Sequence, residues 1–409
     1  MKTEKFKGNI WFIMPRSSSD WKGSEALWIT VAGWASAAEE LGLESLIATT
    51  DRMADYHEVR NYPLSSVTKP MGSKRSKFLP LVLITAIKDF LQFKRSKKSN
   101  NYKFLDSSES DLTNPTLIWE HHDLFPGIGT ELANKYGIPL IKYVHAPQVW
   151  EAKKWGVKRP VWGKLLEKSE VRNLNRADLV ACVSAQVYTQ LIEMGVNKKK
   201  LMVSPMAVDR QMFLEKKLQL PRSRFGLDNK ITIGWTGSFR KFHGLELLVE
   251  SFEIAYKEND QLCLVLIGDG FEKQRIENII KEKDLSSAVV FIGKKKFKEI
   301  PAYIKLFDIA IVSAHSTKGF HYSPLKLREY LITGLATLAP RAGEVPEKFK
   351  DNEHVILYDI GDVKGLANKM TRLSIDTNLR RELGSNGKQH VLKAGTWKTE
   401  LEKALAFLG

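Results

Sequence analysis

The sequence predicts two doubly wound α/β domains, each a Rossmann-like parallel sheet with helices on both faces. Three observations carry this expectation. Short β-rich runs alternate with helical stretches along nearly the whole chain. The runs are continuously apolar, the pattern of strands buried on both faces. The rhythm stops once, over 206–230, where MAVDRQMFLEKKLQLPRSRFGLDNK is polar and loop-like. At about 150 residues per domain, the 409 residues suit two or three domains. The expected division is 1–205, a linker at 206–230, a second domain at 231–394, and a last helix at 395–409.

In the first half the expected strands are 10–14, 45–50, 116–119, 140–145, 179–184 and 201–204. In the second they are 231–237, 262–268, 289–293, 309–314, 336–340 and 355–359. Open parallel sheets bind ligands outside the carboxyl ends of their strands. With two such domains, the expected site is a cleft between them, so polar residues and glycines just after strands are the candidates.

Composition narrows the class. With 43% hydrophobic and 27% charged residues, a mainly disordered or fibrous chain is excluded. Cys182 and Cys263 both sit in apolar runs, which excludes a disulfide scaffold and a cysteine-based zinc site and suits a reducing compartment. The longest apolar stretch, 78–87, contains Pro80 and falls well short of the roughly 20 residues needed to span a bilayer. The run 10–14 is too short for a secretory signal. A cytoplasmic, unsecreted protein is expected.

The charge is uneven. Lys and Arg number 63 against 47 Asp and Glu, so 63 − 47 gives +16. The window 69–103 holds ten basic residues, Lys74 and Arg75 among them, and one acidic residue. Between its basic clusters, Phe78, Leu81, Val82, Ile84, Ile87 and Leu91 can share one helical face. A basic amphipathic helix of this kind suits an anionic membrane surface, so peripheral contact with the inner membrane face is expected. Trp150, Trp155 and Trp162 lie among lysines in VWEAKKWGVKRPVWGKLLEK, which fits a membrane interface, an acceptor groove or simple packing. No helix-turn-helix, zinc-finger or RNA-binding signature accompanies the charge, so no nucleic-acid partner is expected. His121, His122 and Asp123 follow one strand. Adjacent histidines in extended backbone point to opposite faces, so no metal site is expected and His122 is assigned to acceptor binding or structure.

The second half carries the specific chemistry. After 231–235 comes TGSFRKFHG, with Gly237, Ser238, Arg240, Lys241, His243 and Gly244 ahead of the helix LELLVESF. A small residue at a strand end followed by cations and a helix N-terminus is a site for a phosphate or diphosphate. The strand LCLVLIG runs into Gly268-Asp269-Gly270, a turn that permits close backbone approach. In FHYSPLKLREYLITG, Ser323 reads as an N-cap, Pro324 as the first helical residue and Gly334 as the stop. Leu325 and Lys326 then occupy the first turn, and Glu329 lies under two turns inside, within reach of a hydroxyl-bearing group bound at that end. Glu344 follows the next strand.

Read together, GSFRKFHG, LIGDG, SPLKLREYLITG, GEVPE and Thr396-Trp397 resemble glycosyltransferase family 4, whose members have the GT-B fold. The likeness extends to WKGSEALWITVAGWASAAEELGLESLIAT, which resembles that family's opening glycine loop, helix and second strand. The resemblance implies a retaining, metal-independent hexosyltransferase-like enzyme, with a nucleotide-diphosphate sugar as co-substrate and no further cofactor. By the same resemblance Gly237 opens the diphosphate loop, and Glu329 is the second glutamate of a Glu-x7-Glu motif and holds the donor ribose. His321 stands where the first glutamate of that motif would fall. His145 lies near the reacting sugar, Gly23 lets the donor phosphates approach, and the last helix packs back on the first domain. Arg240 and Lys241 occupy a loop whose family pattern differs here, and Arg240 is the leading diphosphate cation. The acceptor is expected to be a hydroxyl on a lipid-linked or cell-surface glycan precursor. An inactive nucleotide-sugar-binding or scaffold protein of the same fold is the alternative, and His321 is the feature that favours it.

Overall fold

The computed structural model describes residues 8–15, 25–50, 52–54, 80–99, 114–154, 156–214, 219–317 and 323–409. The chain forms two units, Met1–Met206 with Trp397–Gly409, and Ala207–Thr396.

The first unit is built on β1 (Asn9–Ile13), β2 (Glu44–Ala48), β3 (Met53–Ala54), β4 (Pro115–His121), β5 (Leu140–Val144), β6 (Leu179–Cys182) and β7 (Leu201–Val203). Their order is β3-β2-β1-β4-β5-β6-β7, and every pair except β2–β3 is parallel. The second unit contains β8 (Ile231–Thr236), β9 (Leu262–Ile267), β10 (Val289–Gly293), β11 (Ile309–Ile311), β12 (Ala336–Pro340) and β13 (Ile356–Tyr358). These are all parallel, in the order β10-β9-β8-β11-β12-β13. In each unit the strand order reverses beside the first strand, at β1/β4 and at β8/β11. Those switch points are where open sheets leave room for a ligand.

The apolar runs become strands because both faces are covered: β1, β5, β6, β9, β11 and β12 are buried along their whole length. Only the edge strand β3 has no counterpart in the sequence reading, being two residues long. The segment 206–230 is not a free linker. Val208, Met212, Phe213 and Leu227 are buried in a core with Ile304, Phe307 and Tyr330, so from Ala207 onward it is part of the second unit.

The last helix, Trp397–Leu408, packs on the helix Glu25–Glu40 of the first unit. Its anchor is Trp397, whose ring centroid lies 5.8 Å from that of Trp34. Trp34 in turn meets Trp119 at 5.8 Å and Tyr143 at 5.4 Å. Gly33 makes room for this ring: a Cβ there would sit 2.1 Å from the Trp397 Nε1. Glu400 on the same helix accepts a hydrogen bond from Ser204 Oγ at 3.0 Å.

The basic window forms the helix Leu81–Ser99, which starts after Pro80 as expected of a proline. Its attachment differs from an ordinary amphipathic helix. Asp89 is the buried residue, and its carboxylate accepts hydrogen bonds from Arg159 Nε (2.7 Å), Arg159 Nη2 (2.9 Å) and Trp162 Nε1 (2.8 Å). Leu81, Leu83, Ile87, Phe90 and Leu91 are exposed instead. Among the described residues no helix is long and apolar enough to cross a membrane.

Candidate active site

In the second unit the site begins where β8 ends at the switch point. Gly237 turns the chain at φ +152°, and its amide donates to the Ile267 carbonyl at 2.9 Å. Two residues on, the Phe239 amide donates to the Asp269 carbonyl at 3.0 Å, so the loops after β8 and β9 are laced together. Gly268 and Gly270 exist for this lacing. A Cβ on Gly268 would lie 1.8 Å from the Gly237 carbonyl oxygen, and one on Gly270 would lie 2.8 Å from the Phe239 backbone. The close approach expected at these two glycines is therefore to the neighbouring loop. A single 3-10 turn, Lys241–His243, then leads through Gly244 into the helix Leu245–Glu258. Arg240 and Lys241 project into solvent, and Ser238 is half-buried with its carbonyl accepting from the Arg240 amide.

The helix Leu325–Ile332 closes the other side. It is pinned to the end of β8 by Tyr330, whose hydroxyl accepts from the Thr236 amide at 2.7 Å and meets Thr236 Oγ1 at 2.9 Å. This tether places Lys326 over β8: its ammonium sits 4.3 Å from the Trp235 ring centroid and makes no hydrogen bond among the described residues. Gly237 lies directly beneath, where a Cβ would come within 2.8 Å of the Lys326 Nζ. Burial lowers the Lys326 pKa to about 7, with Glu329 opposing the shift. Burial raises Glu329 to about 7 in turn, with Lys326 opposing it. Burial, then Lys326 and Arg240, push His243 well below the usual imidazole range, so it is neutral at pH 7.

Ser323 does not cap this helix. Pro324 holds the N-cap position, and the Ser323 hydroxyl donates to Glu344 Oε1 instead. Arg328 Nη1 donates to both, at 2.9 Å each, forming a buried Ser-Arg-Glu cluster under the helix. Glu344 is thus held as an internal counter-charge. Loss of the Arg328 guanidinium would leave that carboxylate buried and unpaired, a change that typically costs about 3–5 kcal/mol. Arg328→Met is expected to lower the urea midpoint of the second unit markedly.

In the first unit His145 follows β5, with its Nε2 buried and without a hydrogen bond among the described residues. Burial lowers its pKa to about 4, leaving a neutral imidazole at pH 7. The His121 ring lies 5.0 Å from it and Tyr143 lies edge-on at 5.3 Å. His122 points to the opposite face, as adjacent residues of a strand must. Its Nε2 meets Glu170 Oε1 at 2.7 Å, and that same oxygen accepts from the Gln148 amide at 2.6 Å. With only 2% of its surface exposed, His122 is a packed residue held by Glu170. Trp150 is half-buried with the Lys154 ammonium 3.4 Å from its ring centroid. Gly23, Lys74, Arg75, Trp155 and His321 lie outside the described residues. Among the described residues, no three His, Cys, Asp or Glu side chains are grouped to hold a metal ion.

Residues 30–211 match Glycosyltransferase Family 4, and residues 221–390 match Glycosyl transferases group 1. The chain belongs to the GT-B glycosyltransferase superfamily. Among curated relatives, this GT-B chain is 23% identical over 220 residues to N-acetyl-alpha-D-glucosaminyl L-malate synthase of Bacillus anthracis, covering 53% of this chain and 56% of that one. It is 26% identical over 274 residues to an uncharacterised glycosyltransferase of Methanocaldococcus jannaschii, covering 67% and 69%. The first match thus spans about half the length of its relative. Anabaena HepE, solved with UDP and glucose, superposes with a TM-score of 0.64 at 16% identity, covering 98% of this chain and 99% of that one.

Two features of the candidate site escaped the sequence. Trp235, the platform for Lys326, is a tryptophan inside an apolar strand and reads as core. Tyr330 reads as one more apolar helix residue, although its hydroxyl is what sets the helix against β8. His121 had a signal, the paired histidines at the end of β4, but strand alternation alone does not say which of the two turns toward His145.

Proposed function

We propose that the chain transfers a hexose-type sugar from a nucleotide-diphosphate sugar to an acceptor hydroxyl with retention at the anomeric carbon and without a metal ion. The observation that carries the reading is the buried, unbonded Lys326 ammonium above Gly237, at the switch point of the second unit and beside Glu329. In this reading the diphosphate lies along the Gly237 loop. Lys326, with Arg240 and Lys241 from the rim, offsets the charge that grows on the leaving group, and Glu329 accepts from the ribose hydroxyls. Charge donors of this kind act on the transition state more than on the ground state. No protein nucleophile is required: the acceptor hydroxyl attacks the face from which the diphosphate departs, and a diphosphate oxygen takes the proton. His145, neutral at pH 7 and with its Nε2 making no hydrogen bond among the described residues, is the first unit's candidate for a sugar contact. The HepE complex with UDP makes UDP the first nucleotide to test. The acceptor is proposed to be a lipid-linked or cell-surface glycan precursor, met at the cytoplasmic membrane face, a reading supported by the basic window at 69–103.

The test is thermal stabilisation by nucleoside diphosphates and their sugars without added metal. A ligand at one hundred times its Kd adds about 2.7 kcal/mol to the stability of the folded state. UDP, GDP or ADP is expected to raise the melting temperature, and Arg240→Ala and Glu329→Ala to reduce the shift while leaving the unliganded melt intact. Wild-type turnover in both purified variants would sink the assignment. Nucleotide binding with neither transfer nor hydrolysis would favour the inactive scaffold.

A further inference from the structure

We propose that the helix Leu81–Ser99, together with the start of the helix Gly163–Leu174, is a docking surface for an anionic phospholipid bilayer. The proposal extends the membrane part of the reading above and identifies the surface that makes the contact.

The helix is mounted the wrong way round for a core element. Leu83, Ile87, Phe90, Leu91 and Lys94 share one face at helical spacing, and Asp89 lies on the opposite one. Asp89 is 7% exposed, whereas Leu81, Leu83, Ile87, Phe90 and Leu91 are between 44% and 69% exposed. Polar bonds, Asp89 to Arg159 and Trp162 and Gln92 Nε2 to Asp123 Oδ1 at 3.3 Å, hold the helix to the first unit together with the Phe93 ring, 5.5 Å from that of Phe125. Asp89 is also the one acidic residue of the window 69–103. The carboxylate that ties the helix down is taken out of solvent, and the exposed residues among 81–94 are apolar or lysine.

The same clip continues the surface onto a second helix. Arg159 and Trp162 immediately precede Gly163–Leu174, and beside them Val161 and Leu165 are 78% and 66% exposed. Lys164 and Lys168 are exposed on that helix, and Lys88 and Lys94 on the first. Lys94 lies with its ammonium 4.8 Å from the Phe90 ring centroid, a long cation flanking an apolar face.

The chemistry selects the occupant. Apolar side chains bordered by lysines match a lipid interface, in which the side chains reach the acyl boundary and the ammoniums meet phosphate headgroups. A second copy would bring one basic window against another, and like charges repel.

The test is co-sedimentation of the full chain with phosphatidylcholine vesicles, with and without phosphatidylglycerol, at low and high salt. Binding is expected only with phosphatidylglycerol, weakening at high salt as the charges are screened. The double variant Ile87→Asp/Phe90→Asp should lose binding while keeping a cooperative melt, because 44% and 54% of the two side chains' surfaces already face solvent. Absence of wild-type binding at low salt overturns the proposal, as does undiminished binding by the variant. A concentration-dependent dimer abolished by the same variant also overturns it, assigning the face to a second copy. The nucleotide-induced melting shift is read on the same samples. Vesicle binding without any such shift leaves the docking surface standing and removes the donor-site reading.

Discussion

Replacing Lys326 with methionine is expected to slow transfer by about 10²–10³-fold, the usual effect of removing one preorganised charge donor from a leaving group. The loss should fall on diphosphates. Affinity for UDP should drop while affinity for uridine is nearly unchanged, because the ammonium lies above the Gly237 loop and makes no hydrogen bond among the described residues. The pH dependence sharpens this. Burial sets Lys326 near 7 in the free protein, so the ammonium is present below that pH and lost above it. Diphosphate binding should therefore weaken as pH rises through and beyond 7, with proton uptake on binding. Glu329, raised to about 7, moves the other way and is carboxylate above that pH. Lys326→Arg keeps its charge at every working pH, so it should flatten the alkaline limb even if the longer side chain weakens binding overall. Calorimetric titration of UDP between pH 6 and 9 into wild type and both variants checks each statement. An alkaline limb unchanged in Lys326→Arg would detach it from this residue.

Trp397→Ala is expected to cost about 3–5 kcal/mol, the range for emptying a large aromatic site in a core. The ring meets Trp34 at 5.8 Å and Tyr143 at 6.5 Å between centroids, and Trp34 carries the contact on to Trp119. Gly33→Ala should be damaging for the reciprocal reason, since its methyl would occupy the Trp397 ring. The two changes are in contact and should not add. In Gly33→Ala/Trp397→Ala the methyl meets a vacated site, so the pair should be more stable than the sum of the single losses. Urea unfolding of the four proteins, with near-ultraviolet circular dichroism reporting the aromatic cluster, gives the coupling directly. Strict additivity would show that the two residues do not share a site.

The strands were legible because a parallel sheet covered on both faces needs long apolar runs, and such runs at 140–145 or 262–268 admit few other readings. Even Lys142, in the middle of β5, did not break the pattern; its ammonium pairs with Glu120 across the neighbouring strand and with Asn173 Oδ1 at 3.2 Å. The segment 206–230 was misread because Val208, Met212, Phe213 and Leu227 are spaced with no regular period, although all four are buried. At the candidate site, Gly237, Lys326 and Glu329 stood out by residue type, and the structure brings the three together. What stayed hidden were tertiary partners. Ser323 followed by proline reads as a helix cap, yet a carboxylate twenty-one residues later takes its hydroxyl. The exposed side of the helix Leu81–Ser99 was equally beyond periodicity, which finds the apolar face but not the direction in which it points.

The division of the chain has a consequence for biosynthesis. Because Trp397–Gly409 belongs to the first unit, Ala207–Thr396 is an insertion within it. The ends of the insertion are paired: the Val208 amide donates to the Gly395 carbonyl at 3.0 Å, and Val208 and Thr396 form a β-bridge. On the ribosome the usual order of N-terminal domain first is therefore reversed in its last step. The inserted unit can complete its own core while the earlier unit still lacks the indole that fills the space beside Trp34. A nascent chain arrested before Trp397 should present a protease-resistant second unit and a protease-sensitive first one, and release of the final thirteen residues should convert the latter to the resistant form.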